Sequence, residues 1–177
     1  MRFFSLPVSA VLISLHQCKW SFPMNTEKYT IVSDTSHIAY EFLSEGPKGT
    51  IRKFIFYEKI GDDIYNLSFG DWAKGVPKGD DRVRSNNNDR NKVLLTVAST
   101  VFDFLAYYPD AIIIVKGSTA SRTRLYQMGI TANLDPIRGS FTILGLIDGN
   151  WQSFEKGRNY SSFSLAKKAL NLGSNLF

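Results

Sequence analysis

The five residues Ala111-Ile112-Ile113-Ile114-Val115 constrain the fold of this chain more than any other stretch. An unbroken apolar run bounded by Pro109 and Gly117 has no polar side to give to water, so it predicts a central strand covered on both faces. The residues before it carry a second strong signal. Leu94, Val97, Val101, Leu105 and Tyr108 recur at helical spacing beside Ala98 and Phe102, with Thr96, Thr100 and Asp103 on another side. Asn88 or Asp89 stands where a helix cap belongs, and Pro109 ends the pattern.

Strand signals lie on either side of this pair. Tyr40–Leu43 and Ile51–Tyr57 are separated by Gly46-Pro47-Lys48-Gly49, and Gly61-Asp62-Asp63 leads into the alternating stretch Ile64–Phe69. A long polar connection runs from Ala73 to Asn91. After Gly117 a short helix is expected over Ser121–Ile130. A hairpin follows, with Phe141–Ile147 and Trp151–Phe154 around Asp148-Gly149-Asn150, and Phe163 and Leu165 make a last edge strand. The order predicts one α+β domain: an antiparallel or mixed sheet with two main helices packed on one side.

Composition removes several chemistries. The only cysteine is Cys18 and the only histidines are His16 and His37, so a thiol nucleophile, a zinc cluster or a Ser–His–Asp triad would rest on His37 alone. No metal and no cofactor are expected. The net charge of +5 is not spread over the body. Arg2, Lys19, Lys167 and Lys168 lie in end segments without acids, and without them +5 falls to +1. The acids Asp71, Asp80, Asp81 and Asp89 alternate with Lys74, Lys78, Arg82, Arg84 and Arg90, which reads as a solvated, self-compensating loop. Aromatic residues such as Tyr57, Trp72 and Tyr107 are read mainly as core or cross-strand packing.

The ends divide the chain into 1–23, a body over 24–166, and a tail over 167–177. Residues 3–15 are apolar behind Arg2 but too short to span a bilayer, and no small-x-small cleavage site follows. Three readings stay open: a start at Met24, which is preferred, a signal peptide, or a structured segment. The first implies a cytoplasmic protein, the second an exported one.

The best site candidate is Lys116-Gly117-Ser118-Thr119 with Arg122, where a buried strand ends and a helix begins. Free backbone N–H groups at such a junction favour a phosphate or carboxylate, although Ser118 or Thr119 can equally serve as a plain helix cap. Arg122, in the first turn, is expected to face the anion. Arg124, about 200° further around the helix, is expected to point away. The Gly-Ser pair has the layout of nucleotidyltransferases, yet Arg122 to Gly129 contains no acid to hold their metal ions.

Several segments together resemble a family of short bacterial proteins known only as a domain of unknown function. They are Tyr40-Glu41-Phe42 with Ser44–Gly49, Tyr65–Asp71, Asp89–Leu94, Tyr108-Pro109-Asp110, and Gly117-Ser118-Thr119 with Arg122-Thr123-Arg124-Leu125-Tyr126. The resemblance covers about residues 25–160 and implies a single fold without an assigned activity. The expected function is a non-catalytic binding module for a phosphate-bearing ligand, a nucleotide or nucleic acid. The alternative is a protein partner in a toxin–antitoxin or phage-defence pair, and a weak phosphotransfer or hydrolytic enzyme ranks third.

Overall fold

The computed structural model describes residues 27–72 and 87–168. The leader, most of the polar connection and nearly all of the tail, and the expectations placed on them, lie outside the described residues.

Strands β1 (Val32–Ser33), β2 (Ala39–Gly46), β3 (Gly49–Gly61) and β4 (Ile64–Asp71) form an antiparallel meander. Helix α1 (Arg90–Tyr107) then returns the chain to β5 (Ile112–Val115), which pairs parallel with β4. Helices α2 (Ala120–Ala132) and α3 (Leu134–Ser140) precede β6 (Phe141–Ile147), β7 (Asn150–Ser153) and β8 (Ser162–Lys167). The eight strands form one mixed sheet in the order β1-β2-β3-β4-β5-β8-β6-β7. The fold is α+β.

Three expectations change. Phe163 and Leu165 do not form an edge strand: β8 lies between β5 and β6, and Phe163 is fully buried. A second correction concerns β5, which is central but, among the described residues, covered by helices on one face only. Ile113 and Val115 face the helices and are buried, whereas Ile112 faces the other way and is 38% exposed. The third is α3, a turn of helix the sequence reading missed. Pro136 sits in its first turn, where a missing N–H costs nothing.

Strand alternation gives the sheet two faces of different character, although Phe54 is buried on the face opposite to Ile55 and Tyr57. Tyr40, Phe42, Ile55, Tyr57, Tyr65 and Leu67 point toward the helices and are buried. Leu43, Trp72, Ile112 and Trp151 belong to the opposite, helix-free face and are exposed. The Arg52 guanidinium lies over the Trp72 ring at 5.1 Å.

Helix α1 buries a broader face than its apolar residues alone suggest. Phe104 is fully buried and stacks on Tyr57 with ring centroids 4.0 Å apart. Thr96 and Thr100 are also fully buried, contrary to their expected place on another side. Their hydroxyls donate to the Lys92 and Val97 carbonyls, both at 2.8 Å, which satisfies them inside the core. The Thr100 oxygen then accepts from the Tyr57 hydroxyl at 2.9 Å.

The hairpin between β6 and β7 turns on Asp148 (φ 49°) and Gly149 (φ 80°). Two consecutive residues with positive φ are what a two-residue hairpin loop requires, and Asp-Gly supplies them at low cost.

Candidate functional site

The loop after β5 has a structural task. Thr119 caps α2, its hydroxyl accepting from the Arg122 N–H at 3.3 Å. The Gly117 N–H donates to Thr123 Oγ1 at 3.2 Å, and that hydroxyl donates to the Thr119 carbonyl at 3.3 Å. A Cβ on Gly117 would sit 2.3 Å from the Thr123 backbone nitrogen, so only glycine allows the strand end to approach the helix this closely. Lys116, Ser118 and Thr119 are exposed to solvent.

A hollow of the surface lies beside this loop, not within it. A cleft of about 430 Å³ opens between the start of α1 and the first half of α2, above the ends of β3 and β4. Its α2 wall follows from helical geometry. Ser121, Leu125 and Met128 fall within one narrow stripe, and Arg122 and Arg124 flank it on either side. Both arginines therefore line the cleft. The expectation that Arg124 points away is corrected, because long side chains on opposite flanks of one stripe reach the same space. Lys116, Gly117, Ser118 and Thr119 do not line the cleft.

The floor carries an ion pair. Lys53 and Asp71 are register partners on β3 and β4, on the helix-facing side, and their side chains form a salt bridge. They are only 4% and 8% exposed, so Asp71 is no part of a solvated loop. Burying such a pair costs desolvation that the mutual attraction only partly offsets.

The α1 wall is shaped by Asp89. It occupies the N-cap position but makes no side-chain cap bond. Its carboxylate turns instead to the Ser44 hydroxyl at 2.6 Å and the Tyr29 hydroxyl at 2.8 Å. The Tyr29 oxygen in turn accepts from the Glu45 N–H at 3.0 Å. Burial is the leading reason that the Tyr29 phenol is held above its ordinary pKa, reinforced by the Asp89 carboxylate. Next to Asp89, the buried Asn87 side chain donates to the Gly49 carbonyl at 3.0 Å and accepts from the Lys48 N–H at 2.9 Å. The first-turn N–H groups of α1 are thus left without a side-chain cap beside the cleft.

The charge balance follows. The cleft is lined by Lys53, Arg90, Arg122 and Arg124 against Asp71 and Asp89, an excess of two positive charges. Asp71 is engaged by Lys53, and Asp89 by Tyr29 and Ser44. Neither the Arg90 nor the Arg124 side chain has a partner among the described residues.

A family model matches residues 25–168, which includes every residue of the cleft. The chain belongs to DUF6934, a family of unknown function. Neither the comparison with curated proteins nor that with solved structures returned a match. The match runs beyond the expected end near residue 160 because β8, which reaches Lys167, is integral to the DUF6934 sheet.

His37 lies elsewhere in the DUF6934 fold. Its Nδ1 meets Asp103 at 2.8 Å near the C-terminal end of α1, and its ring stacks on Tyr107 with centroids 3.4 Å apart. The neighbouring Ser36 hydroxyl is bonded to Asp34. No group of three or more His, Cys, Asp or Glu side chains is placed to hold a metal among the described residues. No helix among them is long and apolar enough to cross a membrane.

Sequence reasoning missed Lys53, Asp71, Asp89, Arg90 and Arg124 as cleft residues. One signal was available. In the alternation of Lys53, Ile55 and Tyr57, a lysine shares the phase of two core residues, and an inward lysine calls for a buried acid.

Proposed function

We propose that the protein is a non-catalytic binding module for a phosphate-bearing ligand held in the cleft between α1 and α2. The observation that carries this reading is the pair Arg90 and Arg124, whose side chains have no partner among the described residues, on opposite walls of a cleft whose two carboxylates are already engaged. Guanidinium groups bind phosphate oxygens through paired, charge-assisted hydrogen bonds. The uncapped first turn of α1 adds partial positive charge on the same side. Arg122 belongs to this site, while Lys116, Gly117, Ser118 and Thr119 serve as the seat of α2.

Calorimetric titration of the full chain with inorganic phosphate and pyrophosphate at low salt tests the proposal. Saturable binding is expected, with pyrophosphate tighter, and Arg124→Ala should weaken it at least tenfold without lowering the melting temperature. Binding that is indifferent to both Arg124→Ala and Arg90→Ala defeats the reading.

A second reading, a protein-interaction component, draws on the exposed Leu43, Trp72, Ile112 and Trp151 of the helix-free sheet face. Sedimentation of the full chain over a concentration series tests self-association through that face. Trp151→Lys should abolish any dimer and leave phosphate binding intact.

A further inference from the structure

The cleft has a neighbour. A recess of about 80 Å³ lies beneath α2, enclosed by α1, α3 and the helix-facing side of the sheet. Leu67, Val97, Val101, Ile130, Phe141 and Leu165 are among its walls. The only side chain there with a hydrogen-bonding amide is Asn133, which donates back to the Gly129 carbonyl at 2.9 Å. Leu94 and Tyr126 line both the recess and the cleft, so the two hollows share a wall.

Gly129 stands at that boundary. A glycine inside a helix is less favourable than alanine, so its place needs a reason. A Cβ there would meet Leu94 Cδ1 at 3.4 Å, and anything larger would press into the shared wall. A methyl group would fit there in ordinary contact, so only a larger side chain at this position would fill the space beside Leu94.

We infer that the ligand is the phosphate ester of a short apolar group, its phosphate held by the cleft arginines and its hydrocarbon inserted past Leu94 and Tyr126 into the recess. The inference rests on the phosphate-binding reading above and narrows it. A nucleobase does not suit the recess, because its several polar edge atoms would meet walls that are apolar apart from Asn133 and Tyr126. A hydrocarbon needs none, and it gains from leaving water in proportion to the area it buries.

The experiment is a titration of the full-length protein with inorganic phosphate, a series of n-alkyl phosphates from methyl to hexyl, and adenosine monophosphate. Affinity should rise about fourfold with each added methylene until the recess is full, then level off. Gly129→Leu should flatten the series while leaving inorganic phosphate binding unchanged. Where that variant fails to fold, the chain-length series on the natural sequence decides alone. Arginine-dependent binding of inorganic phosphate with no gain from the alkyl chain overturns this inference but leaves the phosphate-binding reading standing. So does adenosine monophosphate binding more tightly than every alkyl phosphate, which would assign the site to nucleotides. Failure of every phosphate to bind defeats both.

Discussion

The two ends of α1 are built on opposite principles. Toward its C-terminus, Phe104 stacks on Tyr57 and Tyr108 and meets the edge of Tyr65. There Asp103 accepts from the Tyr40 hydroxyl at 2.9 Å and pairs with His37. Toward its N-terminus the helix has no side-chain cap, three arginines of α1 and α2 line an open cleft, and a buried ion pair lies beneath them. One end joins aromatic surface to satisfied polar groups, and the other holds charge beside open space. The difference teaches that this helix is anchored by packing at one end and holds locally unfavourable charge at the other, the arrangement that the proposed binding site would use.

The largest test of that contrast is Phe104→Ala, which should cost about 3–5 kcal/mol by leaving a cavity among stacked rings. Chemical denaturation measures it, and a loss below about 1 kcal/mol would mean that the aromatic end is not the anchor. Asp71→Asn probes the charged end, where the loss of the buried counter-charge to Lys53 should cost about 3 kcal/mol. If that variant were as stable as the natural chain, the ion pair would carry no structural weight and the site end would be energetically free.

Tyr57→Phe is a smaller change. It removes one buried hydrogen bond, worth about 1 kcal/mol, while Thr100 keeps its bond to the Val97 carbonyl. This variant also has a pH signature. Burial holds the Tyr57 phenol far above its ordinary value, and burial with the Asp103 charge does the same for Tyr40. Both phenols lose their protons more readily in the unfolded chain. Their contribution to stability is therefore complete below about pH 10 and declines as the pH rises above it. Denaturation midpoints between pH 8 and 11.5 should show this decline, and Tyr57→Phe should make it shallower.

Arg124→Ala should change stability by less than about 0.5 kcal/mol, since its side chain has no partner to lose among the described residues. A larger loss in thermal melts would move Arg124 from the binding end of the comparison to the structural one. The smallest expected effect is that of chelation. Prolonged incubation with chelator should leave the melting temperature unchanged, and a fall greater than about 4 °C would reveal a structural ion.

The elements whose evidence is local were legible from the residues. α1 announced itself by apolar spacing, β5 by its unbroken apolar run, and the β6–β7 hairpin by Asp148-Gly149. Each depends on propensities and periods that act within a dozen residues. α3 was not legible in the same way, because seven residues around Pro136 and Gly139 carry too short a pattern to register as a helix.

The sequence by itself determined the class of the fold, the junction where β5 meets α2, and the short supply of sulfur and imidazole groups that removes whole chemistries. Only the tertiary structure decided that β8 enters the middle of the sheet and that Arg124 joins Arg122 and Arg90 at one cleft. The physical reason is the range of the interactions. Helix caps, turns and alternation are settled between near neighbours, whereas strand order and the meeting of Lys53 with Asp71 or Asp89 with Tyr29 depend on pairings 18 and 60 residues apart. Such pairings are chosen by the burial of the whole core and leave no local trace in the chain.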